Sequence, residues 1–245
     1  IYDLHFRLLL GEGGGAFLGW AGFGLLALLL SGIWAWWPRG TWRKALRLKL
    51  RAPAQRSLRD WHKLAGLTGL PLLVMLTVTG IMLELPDESD AALNAAGLRV
   101  DRPPAVRSST FGDAVRPQIT PAQAVNVAQA ALPQARLAWI ETPSASGGLY
   151  RLRMQVQGDP SARFPHSFVW VDAGSGRVVA VQNARRASSG TVVNNWVHSL
   201  HDGSAAGLSG RVIVALSGLL PLALFVTGLW RWAVRNRKSV EVASG

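Results

Sequence analysis

Cysteine is absent from the 245 residues. That excludes disulfides, a thiolate metal site and any C-x-x-C-H attachment of a prosthetic group, and it is compatible with an oxidising compartment. Acidic residues are scarce, 14 Asp and Glu against 26 Lys and Arg, for a formal net charge of +12. A dinucleotide fingerprint is lacking too: Gly11-Glu12-Gly13-Gly14-Gly15 is rich in glycine but neither follows a strand nor opens a helix of a βαβ unit. No acid, base and nucleophile fall into a catalytic pattern. Three long, strongly apolar stretches hold no ionisable residue, Ala16 to Trp37, Leu64 to Leu83 and Val212 to Trp230.

Those charge-free runs, with 49% hydrophobic residues and 11 Trp, indicate a membrane protein. At about 1.5 Å per residue each run is long enough to cross a hydrocarbon core of about 30 Å, so the sequence predicts transmembrane helices at residues 16–37, 62–85 and 211–232. Pro71 and Pro221 fall inside the second and third, where neighbouring helices or Thr side chains can satisfy the freed carbonyl.

The basic residues set the expected orientation. Arg39, Arg43, Lys44, Arg47, Lys49, Arg51, Arg56 and Arg59 face a single acid, Asp60, in the connection 38–61, and Arg231, Arg235, Arg237 and Lys238 lie at the end of the last span and in the tail 233–245. The positive-inside rule makes both cytoplasmic. Trp34, Trp36, Trp37, Trp42, Trp61, Trp230 and Trp232 form an interfacial belt at that boundary. The positive charge is then topological, with the lipid bilayer, anionic lipid included, as partner and no nucleic acid. The N-terminal segment 1–15 and everything from about Glu84 to Leu208 fall outside. A chain that begins outside at Ile1 is expected to have a further transmembrane helix upstream, a cleaved signal peptide being the alternative.

Within the outside region, residues 86–118 read as a tether with a short helix at Asp90 to Ala96, and 119–183 as a small α+β domain. Thr120, Pro121 and Gln123 mark a helix start, and Pro133 marks its end. Strands are expected at Ala135 to Glu141, Leu149 to Val156, Ser167 to Val171 and Arg177 to Val181, with Asp172-Ala173-Gly174-Ser175-Gly176 turning the last pair. Residues 184–210 return the chain to the membrane.

One segment occurs twice. At a constant offset of 196, Leu4, His5, Gly11, Gly14, Gly22, Leu26, Ala27, Leu28, Gly32, Trp34 and Trp36 meet Leu200, His201, Gly207, Gly210, Gly218, Leu222, Ala223, Leu224, Gly228, Trp230 and Trp232, and Ser31 meets Thr227. Same-facing duplicates in a membrane protein are related by an axis along the membrane normal, so His5 and His201 are expected at one depth.

The order of Leu4-His5 with Gly11 and Ser31-Gly32, Trp36-Trp37-Pro38-Arg39, Trp61-His62-Lys63 with Gly66, His201-Asp202-Gly203 with Gly207 and Gly210-Arg211, and Thr227-Gly228 resembles the PepSY-associated transmembrane family. The segment Ile119 to Val181 is similar to a PepSY module. The implied fold is an α-helical membrane protein with three transmembrane helices, N-terminus out and C-terminus in, plus a small periplasmic α+β domain. The resemblance also implies a bacterial inner-membrane reductase of ferric siderophores carrying haem b on histidines near both membrane faces. Against that pattern the first helix and first external segment are lacking.

Imidazole is a neutral ligand for haem iron, and two axial histidines make a centre suited to electron transfer. His5 and His201 are expected to clamp an outer haem; interfacial histidines bonding headgroups or backbone are the alternative. His198, one helical turn before His201 with Asn194 and Asn195 a turn further back, has Tyr2 at its repeat position and is expected to play a supporting part or to lie on the surface. His166 carries no assignment. The resemblance implies that His62 holds an inner haem whose other ligand lies upstream. Met75 and Met82 are expected to be packing residues. Three functions follow: a haem reductase delivering electrons to ferric siderophore iron, a haem conduit for another acceptor, or a non-enzymatic module whose external domain binds protein. The electron donor stays unidentified, and Arg211 is one cation able to attract an anionic chelate or to face lipid.

Overall fold

A computed structural model describes residues 1–38, 40–41, 54–106, 118–143 and 148–243, the side chains of 54–55 and 235–243 aside. Of the basic connection, Arg39, Arg43, Lys44, Arg47, Lys49 and Arg51 lie outside the described residues, as does Trp42. The chain divides into two compact units, residues 1–85 with 200–245, and residues 86–199.

The first unit is helical. A short α1 (Tyr2–Arg7) precedes α2 (Glu12–Trp36), and α3 (Ala54–Glu84) follows; the chain re-enters through α7 (Gly207–Ser217) and α8 (Leu219–Ala243). Three helical stretches, Glu12–Trp36, Arg56–Glu84 and Ser204–Val234, are long and apolar enough to cross a membrane. Their flanks expose large apolar side chains such as Phe17, Leu28, Trp34, Leu222, Phe225 and Trp230, a surface that suits lipid and not water. Glycines let the helices close on one another: a Cβ on Gly19 or Gly22 of α2 would stand 2.5 or 2.6 Å from Leu85 or Ile81, and one on Gly69 of α3 would stand 2.7 Å from Leu220 of α8. With apolar lipid on all sides, such close van der Waals packing is what holds membrane helices together.

The third span differs from the single helix expected there. It breaks at Gly218, between Ser217 and Leu219. Pro221 explains the place, because its ring excludes the carbonyl of residue 217 and offers no N–H to it. Pro71 leaves α3 continuous; the Thr68 and Thr77 hydroxyls bond the Leu64 and Leu73 carbonyls, at 2.8 and 2.7 Å, and not that of Leu67, which Pro71 frees.

The second unit is α+β. Helix α4 runs from Pro86 to Ala95, earlier than the Asp90 to Ala96 expected, because Pro86 suits a first turn and Asp87 and Glu88 favour its dipole. Helix α5 (Pro121–Ala131) begins as its sequence foretells, Thr120 Oγ1 accepting from the Gln123 N–H at 3.3 Å while Gln123 Oε1 accepts from the Thr120 N–H at 2.7 Å. Strands β1 (Arg136–Glu141), β2 (Leu149–Gln155), β3 (Ser167–Asp172) and β4 (Val178–Gln182) form an antiparallel sheet in the order 1-2-3-4. In β2 alternate residues Tyr150, Leu152 and Met154 are buried, and with Val169 and Val171 they pack under Ala124 and Ala128 of α5. Asp172 closes the last hairpin: its Oδ1 accepts from the N–H groups of Gly174 and Ser175 at 3.1 and 2.7 Å. Helix α6 (Ser189–His201) leads back to the first unit.

Candidate functional site

The sequence duplication is a structural one. Gly11 and Gly207, equivalent at offset 196, share φ/ψ of 67/−148° and 65/−144°, a conformation open only to glycine. Three residues on, a Cβ at Gly14 would lie 1.8 Å from the Arg7 carbonyl oxygen, and one at Gly210 would lie 2.2 Å from that of Gly203. Arg7 and Gly203 are themselves equivalent. The same two carbonyls accept the N–H groups of Leu10 and Ala206, at 2.8 and 3.2 Å. Each copy thus turns sharply from a histidine-bearing helix into a span, with the crossing so tight that only glycine fits.

The turns bring His5 and His201 together, ring centres 6.1 Å apart and planes inclined by 33°. Two imidazoles sharing one metal at about 2 Å per nitrogen have centres roughly 6 Å apart, so the spacing admits a single shared ion. His201 Nδ1 lies 2.9 Å from Thr79 Oγ1, and that hydroxyl donates onward to the Met75 carbonyl at 2.8 Å. With its proton spent on the backbone, Thr79 can only accept from the ring, which favours the Nδ1–H tautomer. Gly80, the next residue, makes room: a Cβ there would stand 3.2 Å from His201 Cε1. His5 is exposed, and its ring nitrogens make no hydrogen bond among the described residues.

His62 repeats the arrangement with the helices exchanged. Its Nδ1 lies 2.8 Å from Thr227 Oγ1, which donates to the Ala223 carbonyl at 2.6 Å, and a Cβ on Gly228 would be 3.6 Å from His62 Cε1. Again the Nδ1–H tautomer is favoured. Each histidine therefore docks on a Thr-Gly pair of a neighbouring helix. The seventeen residues between His62 and Thr79 on α3 set the two docking points about 25 Å apart. Ser31-Gly32, the repeat equivalent of Thr227-Gly228, bonds the Leu28 carbonyl at 2.8 Å, and among the described residues no imidazole docks there.

Thr79-Gly80 went unnoticed in the sequence, although the Thr227-Gly228 pair was a motif and could have prompted a search for its like. Glu84 also went unnoticed; its carboxylate lies against Gly15, where a Cβ would be 2.7 Å from Oε2, and His5 and Arg7 are the charges that act on it.

Within the second unit, His198 sets its ring edge-on to Phe164, centres 5.1 Å apart. Asn194, one turn before it, donates to Asp90 Oδ1 at 2.6 Å. His166 is held by Asp159, whose Oδ1 lies 2.9 Å from Nδ1 and whose Oδ2 accepts the His166 N–H at 2.6 Å. Although burial opposes it, these bonds hold the Asp159 carboxyl below its ordinary range. Arg211 is exposed.

The model of the family described as PepSY-associated TM region matches residues 1–235. No curated protein matches the chain.

Proposed function

Because the chain belongs to the PepSY-associated TM region family, we propose that it is a haem-bearing membrane reductase that passes electrons from the cytoplasmic side to ferric siderophore iron outside. The observation that carries this reading is the pair His5 and His201: two imidazoles at the separation one iron needs, one of them held through Nδ1 by Thr79. The donor set fits haem b: His5 and His201 would hold an outer group and His62 an inner one. Bound there, haem supplies a one-electron ferric/ferrous couple.

The residues of the chain position and insulate. Thr79 and Thr227 fix tautomers and ring orientation through the hydrogen bond to the ring's other nitrogen that histidine ligands generally require. Gly80 and Gly228 keep the ring edges clear. The two docking points lie about 25 Å apart along α3, so groups held there would sit one toward each end of that span. Reduction of a ferric chelate needs no proton-transfer residue or nucleophile; ferrous iron is a softer ion and leaves hard oxygen ligands readily. His198, on Phe164, takes no part in ligation.

The test is direct. Protein purified with haem is reduced with dithionite under argon and mixed with ferric siderophores one at a time; reoxidation of the haem bands with release of ferrous iron is expected. If no ferric chelate reoxidises the bands faster than reductant is lost in haem-free medium, the reductase reading fails and a conduit for another acceptor remains. A preparation with no Soret band would favour the protein-binding module instead. Orientation is read separately: in this cysteine-free chain, Ser175→Cys should react with an impermeant maleimide on spheroplasts and Gly40→Cys should not, and the reverse labelling would invert the topology.

A further inference from the structure

The α+β unit contains a cavity of about 570 Å³ whose wall includes Arg102, Arg186, His166, Asn183, Thr191 and Asn195, all residues of the second unit. We propose that this cavity is a binding site for a small organic polycarboxylate. The proposal is independent of haem, because none of these residues belongs to the membrane unit.

Three observations lead there. Arg102 and Arg186 are exposed side chains that pair with no carboxylate among the described residues, so two guanidinium forks are open to an anion, and a fork matches a carboxylate in bidentate fashion. Asn195 is only 8% exposed, yet its amide makes no hydrogen bond among the described residues. Its amide atoms are not sealed from solvent, and the residue lines the cavity, where a ligand can meet them. His166 is anchored from behind: the fully buried Asp159 carboxylate takes Nδ1 and the backbone N–H, leaving Nε2 for a ligand.

The one acid in the wall does not oppose an anion. Asp101 Oδ2 accepts the Ser188 N–H at 2.7 Å, and Oδ1 faces Arg99 at 3.6 Å, so its charge is already answered by the protein. The Ser188 bond in particular holds this carboxyl below its ordinary range. The remaining wall includes apolar Leu132 and Val181. A volume in the range of small organic ligands, mixed apolar and donor walls and two separate guanidiniums suit a carbon skeleton carrying several carboxylates better than a lone inorganic ion.

Isothermal titration of the full chain in zwitterionic nanodiscs, with citrate as probe, tests this. Saturable one-site binding is expected, weakened about tenfold or more by Arg186→Gln or Arg102→Gln and by Asn195→Ala, while Arg136→Gln/Arg177→Gln, which removes two arginines of the same unit outside the cavity wall, leaves it unchanged. Inorganic phosphate should bind at least tenfold more weakly than citrate. Because both cavity arginines are exposed, their variants keep the test decisive should Asn195→Ala not fold. The proposal is overturned if citrate gives no saturable heat, if the control double variant loses as much affinity as the cavity variants, or if phosphate binds as well as citrate.

Discussion

At one end of α3, Thr79 and Gly80 receive His201 with His5 alongside; at the other, His62 docks on Thr227 and Gly228 of α8, and among the described residues no second imidazole stands beside it. The hydroxyl relay is the same in both, down to a threonine proton committed to a carbonyl one turn back. The company differs because the duplicated turn supplies His5 at one end only. Orienting an imidazole is thus a local device that any pair of facing helices can carry, whereas bringing two imidazoles together needs the tertiary repeat.

The strongest way to break this comparison is at the turns. Gly210→Ala would drive a Cβ to 2.2 Å from the Gly203 carbonyl oxygen, and backbone cannot yield cheaply there. Loss of most folded, haem-retaining protein in size-exclusion chromatography is expected, and the same for Gly14→Ala. Unchanged yields would mean that the tight crossing is not needed to place the histidines.

Next come the proposed ligands. His5→Ala and His201→Ala should each abolish one bis-imidazole haem signal by low-temperature electron paramagnetic resonance, His62→Ala should spare that signal, and His198→Ala should change nothing. Full haem retention in both the His5 and His201 variants would refute the pairing. Of intermediate size is the removal of a relay: Thr79→Val should cost about 1 kcal/mol for the lost hydrogen bond and weaken haem binding roughly tenfold or more. Thr227→Val should act on the other centre alone, and a shared response would dissolve the distinction between the two ends. Glycine sharpens it further. Gly80→Ala brings a Cβ to 3.2 Å from the His201 ring and should shift that centre's midpoint potential, while Gly228→Ala, at 3.6 Å, is ordinary contact and should shift its own much less.

The smallest effect expected concerns pH in the α+β unit. Asp159 is held below its ordinary 3.8 by His166 and Ser161, so it binds its proton more weakly folded than unfolded. Its contribution is present above pH 3.8 and is lost as pH falls below that value toward the folded-state pKa. Asp159→Asn should flatten the decline in thermal stability over that acid window; an identical decline in the variant would exclude Asp159 as its source.

The helical spans, the strands and the helix start at Thr120 were legible because they rest on local signals: runs without charge, period-two alternation, a capping box. Gly218 was not legible as a break, since an apolar run looks continuous whether or not a proline three residues on frees a carbonyl. Nor was α4's start at Pro86, where tether composition hid a good first turn. Among the histidines the repeat singled out His5 and His201, and it did so through spacing alone.

The sequence by itself determined the spans, the duplication and the imidazoles available, because hydrophobic length, glycine's backbone freedom and ligand chemistry are properties of residues in order. Only the tertiary structure decided that Thr79 faces His201 across 122 positions and Thr227 faces His62 across 165, and that Asp101, His166 and Asn195 line one cavity. Hydrogen bonds between helices depend on rotation and depth, which packing sets and sequence spacing does not encode.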